Sequence, residues 1–200
     1  MKITVVYNNE ANAGLKSGWG FSCLVDYTQQ ILFDTGDDGQ KLINNFEKAN
    51  IDPKSVDKVV LSHDHWDHIG GLEGFQKFNS ASEVVRPRAF SQPTELSTGI
   101  YSTGALGTIP KEQSLVAKTE KGNIVVTGCA HPGLERILQT ARRLGQIHGV
   151  VGGFHDFSAF DALGGTPLIA PCHCTEHTKQ IAQRYPRQFK QIRAGSVIEI

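Results

Sequence analysis

The segment Ser62-His63-Asp64-His65-Trp66-Asp67-His68-Ile69-Gly70-Gly71 puts three imidazoles and two carboxylates within residues 63–68. Neutral imidazole is the commonest side-chain metal ligand, and a neighbouring carboxylate supplies charge for a divalent ion. Residues two apart in an extended segment point to the same side, so His63 and His65 can share one ion. Asp67 and His68 fall one turn further on and would face a second ion close by. A catalytic zinc prefers at least three protein ligands, so each ion needs a further donor from a distant part of the chain. His131, in Thr127-Gly128-Cys129-Ala130-His131-Pro132-Gly133, and His173, in Pro171-Cys172-His173-Cys174-Thr175, are the candidates.

These residues must be delivered by regular elements. Ile3–Tyr7, Phe21–Tyr27 and Gln30–Phe33 are short β-branched or aromatic runs separated by Gly, Asn and Ser, and they read as strands. Leu42, Ile43, Phe46 and Ala49 recur at helical spacing, with Asp52-Pro53 as the expected stop. Lys58–Leu61 is the strand that carries the histidine cluster at its carboxyl end, and a helix is expected around Leu72–Phe78. Residues 79–122 have weak periodicity and many Gly, Pro, Ser and Thr. They read either as irregular connection around short strands such as Glu83–Arg86 or as a flap over a site. The last third alternates strand and helix: Asn123–Thr127, then the stripe Leu134, Ile137, Leu138, Ala141 and Leu144. Strands ending near Gly152 and Ala170, a helix at Ile181–Tyr185 and a strand at Ser196–Ile200 complete it. Asp34, His63, His131, His155 and His173 each follow a predicted strand, and in α/β layers sites gather at the carboxyl ends of strands. No sequence repeat is evident.

The chain has 200 residues, 39% hydrophobic and 20% charged, which suits one domain spanning residues 1–200 with a substantial core. Lys+Arg and Asp+Glu balance at 20 each, so no electrostatic footprint for nucleic acid or anionic membrane is expected. The amino-terminal segment reads as a strand, and no apolar run is long enough to span a bilayer; a cytoplasmic location is the expectation. A small-molecule substrate follows, with oligomeric state left open. The four cysteines, Cys23, Cys129, Cys172 and Cys174, suit a reducing compartment. Cys172-His173-Cys174 has the donors of a zinc knuckle. Cys23 and Cys129 lack the paired spacing of zinc ribbons, so small buried thiols are expected.

The pattern His63-x-His65-x-Asp67-His68 followed by Gly70-Gly71 resembles the signature of the metallo-β-lactamase superfamily. Asp34-Thr35-Gly36 is similar to its first motif, His131 to its third and His173 to its fifth. The resemblance implies an α/β four-layer αβ/βα sandwich, with two mixed β-sheets, helices on the outer faces and two metals in the groove between the sheets. It implies that His63, His65 and His131 hold one ion and Asp67, His68 and His173 the other, with Asp34 supporting a ligand from behind. The blocks from Glu112-Gln113-Ser114-Leu115 to His131, Gly152-Gly153-Phe154-His155 and Pro171-Cys172-His173-Cys174-Thr175 resemble the branch named after archaeal dihydropterin–ribofuranosylaminobenzene phosphate synthase. At the fourth motif, where the superfamily commonly has an aspartate bridging both ions, this chain reads Gly152-Gly153-Phe154-His155-Asp156. His155 then lines the site with a labile second ion, or Asp156 bridges.

Three functions share this donor set. The leading one is a metal-dependent hydrolase acting on an ester, thioester, lactone or phosphoester. It would use one or two Zn²⁺ ions, with iron or manganese as chemically compatible substitutes. Asp67 would be ligand and proton acceptor, and His155 would transfer protons or touch substrate. Arg86 and Arg88 are candidate clamps for an anionic group. The second is a synthase-like transferase joining a reduced pterin to a phosphorylated ribosyl-aminobenzene. The third is a non-catalytic metal-binding or sensing protein.

Overall fold

The computed structural model describes residues 1–200, which fall into two compact units: Met1–Pro87 with Arg193–Ile200, and Arg88–Ile192. The first unit holds strands β1 (Lys2–Tyr7), β2 (Ser22–Asp26), β3 (Gln30–Phe33), β4 (Lys58–Val60), β5 (Glu83–Val85) and β12 (Val197–Glu199). Its sheet order is β12-β1-β2-β3-β4-β5. The pairs from β12 to β3 are antiparallel, and β3-β4 and β4-β5 are parallel. The second unit holds β6 (Thr94–Ser97), β7 (Ile100–Ser102), β8 (Leu115–Thr119), β9 (Gly122–Thr127), β10 (Ile147–Gly153) and β11 (Leu168–Cys172). Its sheet runs β6-β7-β8-β9-β10-β11 with antiparallel pairs to β9 and parallel pairs after it. Each unit therefore repeats one pattern, antiparallel strands followed by a parallel trio. A topological repeat exists where no sequence repeat is visible, because pairing direction constrains alternation and turns, not residue identity.

Residues 79–122 contain short strands, as the first of the two readings expects. They supply β5 to β8, and their weak periodicity reflects strands of three to five residues, too short to display alternation.

The parallel strands need crossover connections, which α-helices make except between β10 and β11, where a short 3₁₀ turn over Phe160–Leu163 lies. Helix α1 (Gly39–Lys48) joins β3 to β4; Asp38 caps it, its carboxylate accepting from the N–H groups of Gln40 (2.8 Å) and Lys41 (3.0 Å). Leu42, Ile43 and Phe46 are buried in the first unit's core with Leu32, Val59, Leu61 and Phe75, each full burial contributing about 1.5–3 kcal/mol. The helix stops at Lys48, ahead of the expected Asp52-Pro53, because Asn50 turns left-handed (φ 54°) and ends the ladder. Asp52 instead caps a short 3₁₀ turn over Pro53–Ser55. Two further short helices, α2 (Trp66–Ile69) and α3 (Leu72–Gln76), join β4 to β5. Helix α4 (Leu134–Arg142) connects β9 to β10, burying Leu134, Ile137, Leu138 and Ala141 on Val125, Val150 and Ile169. Helix α5 (Thr178–Arg184) follows β11. No helix is long and apolar enough to cross a membrane.

Cys23 on β2 is fully buried. That burial, with the Asp34 charge adding to it, pushes its thiol far above its ordinary value of 9.0. In the unfolded chain the thiol ionises normally, so the unfolded state binds fewer protons at high pH. Stability is therefore intact below about pH 9 and falls by about 1.4 kcal/mol per pH unit above it. Urea denaturation between pH 8 and 10 should show that loss, and Cys23→Ala should abolish this component of it.

Candidate metal centre

In the first unit the parallel register sets Phe33 beside Val60 and Val60 beside Val85, so β3 and β4 end level with each other. Asp34 follows β3 with φ 57°, a left-handed conformation that Asp tolerates better than most side chains. The turn aims a fully buried carboxylate at the cluster after β4. Oδ1 accepts from the Ser62 N–H at 2.6 Å, and Oδ2 accepts from the Ser62 hydroxyl at 2.7 Å. Oδ2 also contacts His68 Nδ1 at 2.7 Å. A carboxylate only accepts, so His68 carries its proton on Nδ1. The Ser62 hydroxyl, having donated to Asp34, accepts from His63 Nδ1 at 2.9 Å. One aspartate thereby assigns the same tautomer to two histidines and turns the Nε2 lone pair of each toward a prospective ion.

The chain conformation serves the same end. His65 is extended (φ −71°, ψ 143°) and heads α2, so the cluster passes from extended backbone into a helical turn between its second and third candidate donors. The ring centroids of His63 and His65 are 4.5 Å apart, and those of His63 and His68 4.2 Å. His63, Asp67 and His68 are buried while Asp64 and His65 are exposed, so Asp64 faces away from the buried donors. His68 Nε2 and Asp67 Oδ2 are 3.7 Å apart, near the roughly 3.3–3.6 Å separating two ligands bonded at 2.0–2.2 Å around a tetrahedral ion. Imidazole and carboxylate at this spacing fit a divalent first-row ion. Gly71 is required here: a Cβ would lie 2.1 Å from the Thr35 carbonyl oxygen. A depression of about 510 Å³ beside the cluster is lined by Asp64, Trp66, Ile69 and Arg86, among others.

The second unit repeats the arrangement at the ends of β9, β10 and β11, where Thr127 pairs with Gly152 and Gly152 with Pro171. Ala130, His155 and His173 all adopt positive φ (61°, 48° and 53°), each at the loop leaving one of these strands. Such conformations cost about 1–2 kcal/mol apiece and persist only where the surroundings hold them. Glu112, 1% exposed, holds the first loop. Its Oε1 accepts from the N–H groups of Cys129 (3.0 Å) and Ala130 (2.9 Å), and its Oε2 from that of His131 (2.9 Å). Thr175 ties the other two loops together, accepting from the Phe154 N–H at 3.0 Å and donating to the Cys172 carbonyl at 2.8 Å. His155 lies beside His131, ring centroids 5.0 Å apart. Asp156 is 81% exposed by its side chain and sits 3.4 Å from His155 Nδ1.

Each unit therefore gathers its own share of the predicted residues. Asp34, His63, His65, Asp67 and His68 meet in the first; His131, His155 and His173 stand on neighbouring strand ends in the second. Arg86 borders the depression beside Trp66, and Arg88, also exposed, belongs to the second unit. The sequence by itself assigns no role to Ser62 or Glu112. Ser62 has a faint signal in adjoining the cluster. Glu112 opens a block that resembles the synthase branch, but its role is not legible there, since its three partners lie 17–19 residues away.

Known proteins share this architecture. The chain is 25% identical to the 7,8-dihydropterin-6-methyl-4-(beta-D-ribofuranosyl)-aminobenzene-5'-phosphate synthase of Methanocaldococcus jannaschii, over 94% of this chain and 92% of that one. It is similar to the crystal structure of Tm1679, described as a metal-dependent hydrolase of the beta-lactamase superfamily. That likeness has a TM-score of 0.82 and 26% identity, covering 100% of this chain and 99% of the other. A shorter likeness, 43% identity over 53 residues, links 26% of this chain to 16% of the ribonuclease Z of Pediococcus pentosaceus. Residues 24–126 match the metallo-beta-lactamase superfamily itself. With two mixed sheets, helical crossovers and histidine-bearing strand ends in each unit, the chain has that superfamily's α/β sandwich fold and belongs to the metallo-beta-lactamase superfamily.

Proposed function

We propose that the chain is a metal-dependent hydrolase of small-molecule esters, thioesters, lactones or phosphoesters. In this reading His63, His65 and His131 hold one divalent ion, and Asp67, His68 and His173 hold a second. The observation that carries it is the Asp34 network, which presents the Nε2 lone pairs of His63 and His68 together. Bound zinc, or iron or manganese in its place, supplies a water acidified to a pKa of about 7 and an electrophile for the substrate oxygen. Asp67, whose Oδ2 lies 3.7 Å from His68 Nε2, would serve there as a proton acceptor. His155, partly exposed and adjacent to His131, can carry the proton to solvent or donate it to the leaving group. Trp66 and Arg86 line a depression next to the exposed His65 and offer a flat apolar face and a cation for an anionic substrate. The likeness to Tm1679 over the whole chain supports hydrolysis.

A second reading, a synthase-like transferase, is favoured by the likeness to the Methanocaldococcus enzyme. That alignment runs over 270 positions against a 200-residue chain, so the archaeal synthase carries segments this chain lacks. Zinc-reconstituted protein should turn over members of a chromogenic ester, lactone, thioester and phosphodiester panel. His63→Ala/His65→Ala should lower kcat/KM at least about 100-fold and reduce bound metal by elemental analysis. Unchanged metal content and turnover in that double variant would sink the assignment. Turnover confined to a reduced pterin plus a ribosyl-aminobenzene phosphate would replace it with the second reading, and cleavage of precursor tRNA alone would replace the substrate class. Full metal loading with no turnover of any of these would leave a metal-binding protein.

A further inference from the structure

Three soft donors converge within the second unit. The Sγ atoms of Cys129 and Cys174 and one ring nitrogen of His173 all lie within 4.8 Å of one another. They come from the loops after β9 and β11, which the parallel register holds level. The thiols are reduced, Cys129 being buried and Cys174 half-buried. Cys174 Sγ lies 3.9 Å from the Cys129 carbonyl oxygen, directly against the neighbouring loop. The fold spends several local features on this convergence. Glu112 pins the Cys129 amide, and His173 is held left-handed, which turns Cys174 back toward β9. Gly153 leaves space for the sulfur, since a Cβ there would sit 2.7 Å from Cys174 Sγ.

We propose that Cys129, His173 and Cys174 form a thiolate-imidazole site, carried by the second unit alone, for a thiophilic divalent cation of the zinc class. Thiolate and imidazole together suit zinc, with M–S near 2.3 Å and M–N near 2.0–2.1 Å. Two such bonds at tetrahedral angles bring their donor atoms about 3.5–3.8 Å apart, a contraction the three side chains can make by small rotations. Two thiolates offset a +2 charge and the imidazole adds none, so a largely buried ion needs no carboxylate. That matters here because Asp156, next to His155, is four-fifths exposed. On binding, each thiol gives up its proton to solvent and each sulfur forms one bond to the ion, with no change of oxidation state. The site shares His173 with the ligand set proposed above. It depends on no hydrolytic activity, and an ion there would gain the thiolates as ligands.

Cobalt is a spectroscopic stand-in for zinc. The full-length chain, stripped by chelator and reloaded anaerobically with Co²⁺, should show intense near-ultraviolet thiolate-to-metal charge transfer. The band should survive His63→Ala/His65→Ala, vanish in Cys129→Ser/Cys174→Ser, and weaken to about half in Cys174→Ser alone, a near-isosteric change at a half-buried position. Zinc should also slow iodoacetamide labelling of Cys129 and Cys174 at least about tenfold, read by peptide mass spectrometry. Cobalt bound without the band would overturn the inference and leave the hydrolase reading intact. A band persisting in the double serine variant would assign it to other thiols and overturn it as well. Loss of the band in folded His63→Ala/His65→Ala protein would overturn the autonomy of the second unit's site. A band retained by protein that hydrolyses nothing would support this inference while the hydrolase reading fails.

Discussion

Asp34→Asn is expected to weaken metal binding about 10–100-fold, the usual cost of losing a group that orients metal-bound histidines. Asparagine fits the left-handed backbone at this position as well as aspartate does, so the substitution tests the side chain and not the turn. Its amide has one oxygen and one NH₂. If nitrogen replaces Oδ2, it faces His68 Nδ1 and the Ser62 hydroxyl as a donor. His68 must then move its proton to Nε2, which removes the lone pair meant for the ion. If nitrogen replaces Oδ1, it confronts the Ser62 N–H, 2.6 Å away in the native protein, with a second donor. The second arrangement leaves the buried Ser62 N–H without its acceptor and both remove a charged acceptor from the network, so the metal-free protein should lose about 2–3 kcal/mol in urea denaturation. Competition with a chromogenic chelator reads the affinity. An Asp34→Asn protein with wild-type metal affinity would show that the tautomers of His63 and His68 are set by something else.

Glu112→Gln should destabilise the protein by about 2–3 kcal/mol and lower Tm by roughly 5–10 °C. The native carboxylate accepts three backbone N–H groups while 1% exposed, and hydrogen bonds to a charged acceptor contribute about 1.5–3 kcal/mol each. Glutamine keeps one oxygen, which can serve Cys129 and Ala130 or His131, and its NH₂ then opposes an amide donor. Ala130 has the least tolerant residue type among the positive-φ positions, so the loop between Cys129 and His131 has a strained conformation that the lost bonds no longer hold. Amide hydrogen exchange should accelerate at residues 129–131 before it does in β9. A melting curve unchanged from wild type would show that the loop is held without this carboxylate. Glu112→Ala, with all three amides deprived of acceptors, should be worse still.

Short-range physics made much of this protein readable from its sequence. The strand and helix patterns depend on neighbours within a few residues, so alternation and 3.6-residue periodicity located β1 to β4, α1, α4 and β9 to β12 nearly in place. The His63–His68 cluster is legible for the same reason: its donors are so close in sequence that any extended-to-helical path brings them together. What sequence could not convey was partnership across strands. Glu112 looks like any loop acid until register sets it under three amides of another segment. Cys129 and Cys174 are 45 residues apart and read as unrelated small thiols, yet β9 and β11 flank β10 with level ends and bring them together. The resemblance implies a supporting role for Asp34, while its reach to His63 through Ser62 follows from a left-handed turn that a one-dimensional pattern does not encode. Composition and periodicity determine which elements form. Register and backbone handedness decide which side chains meet at their ends, because a contact across a sheet depends on the alignment of whole strands.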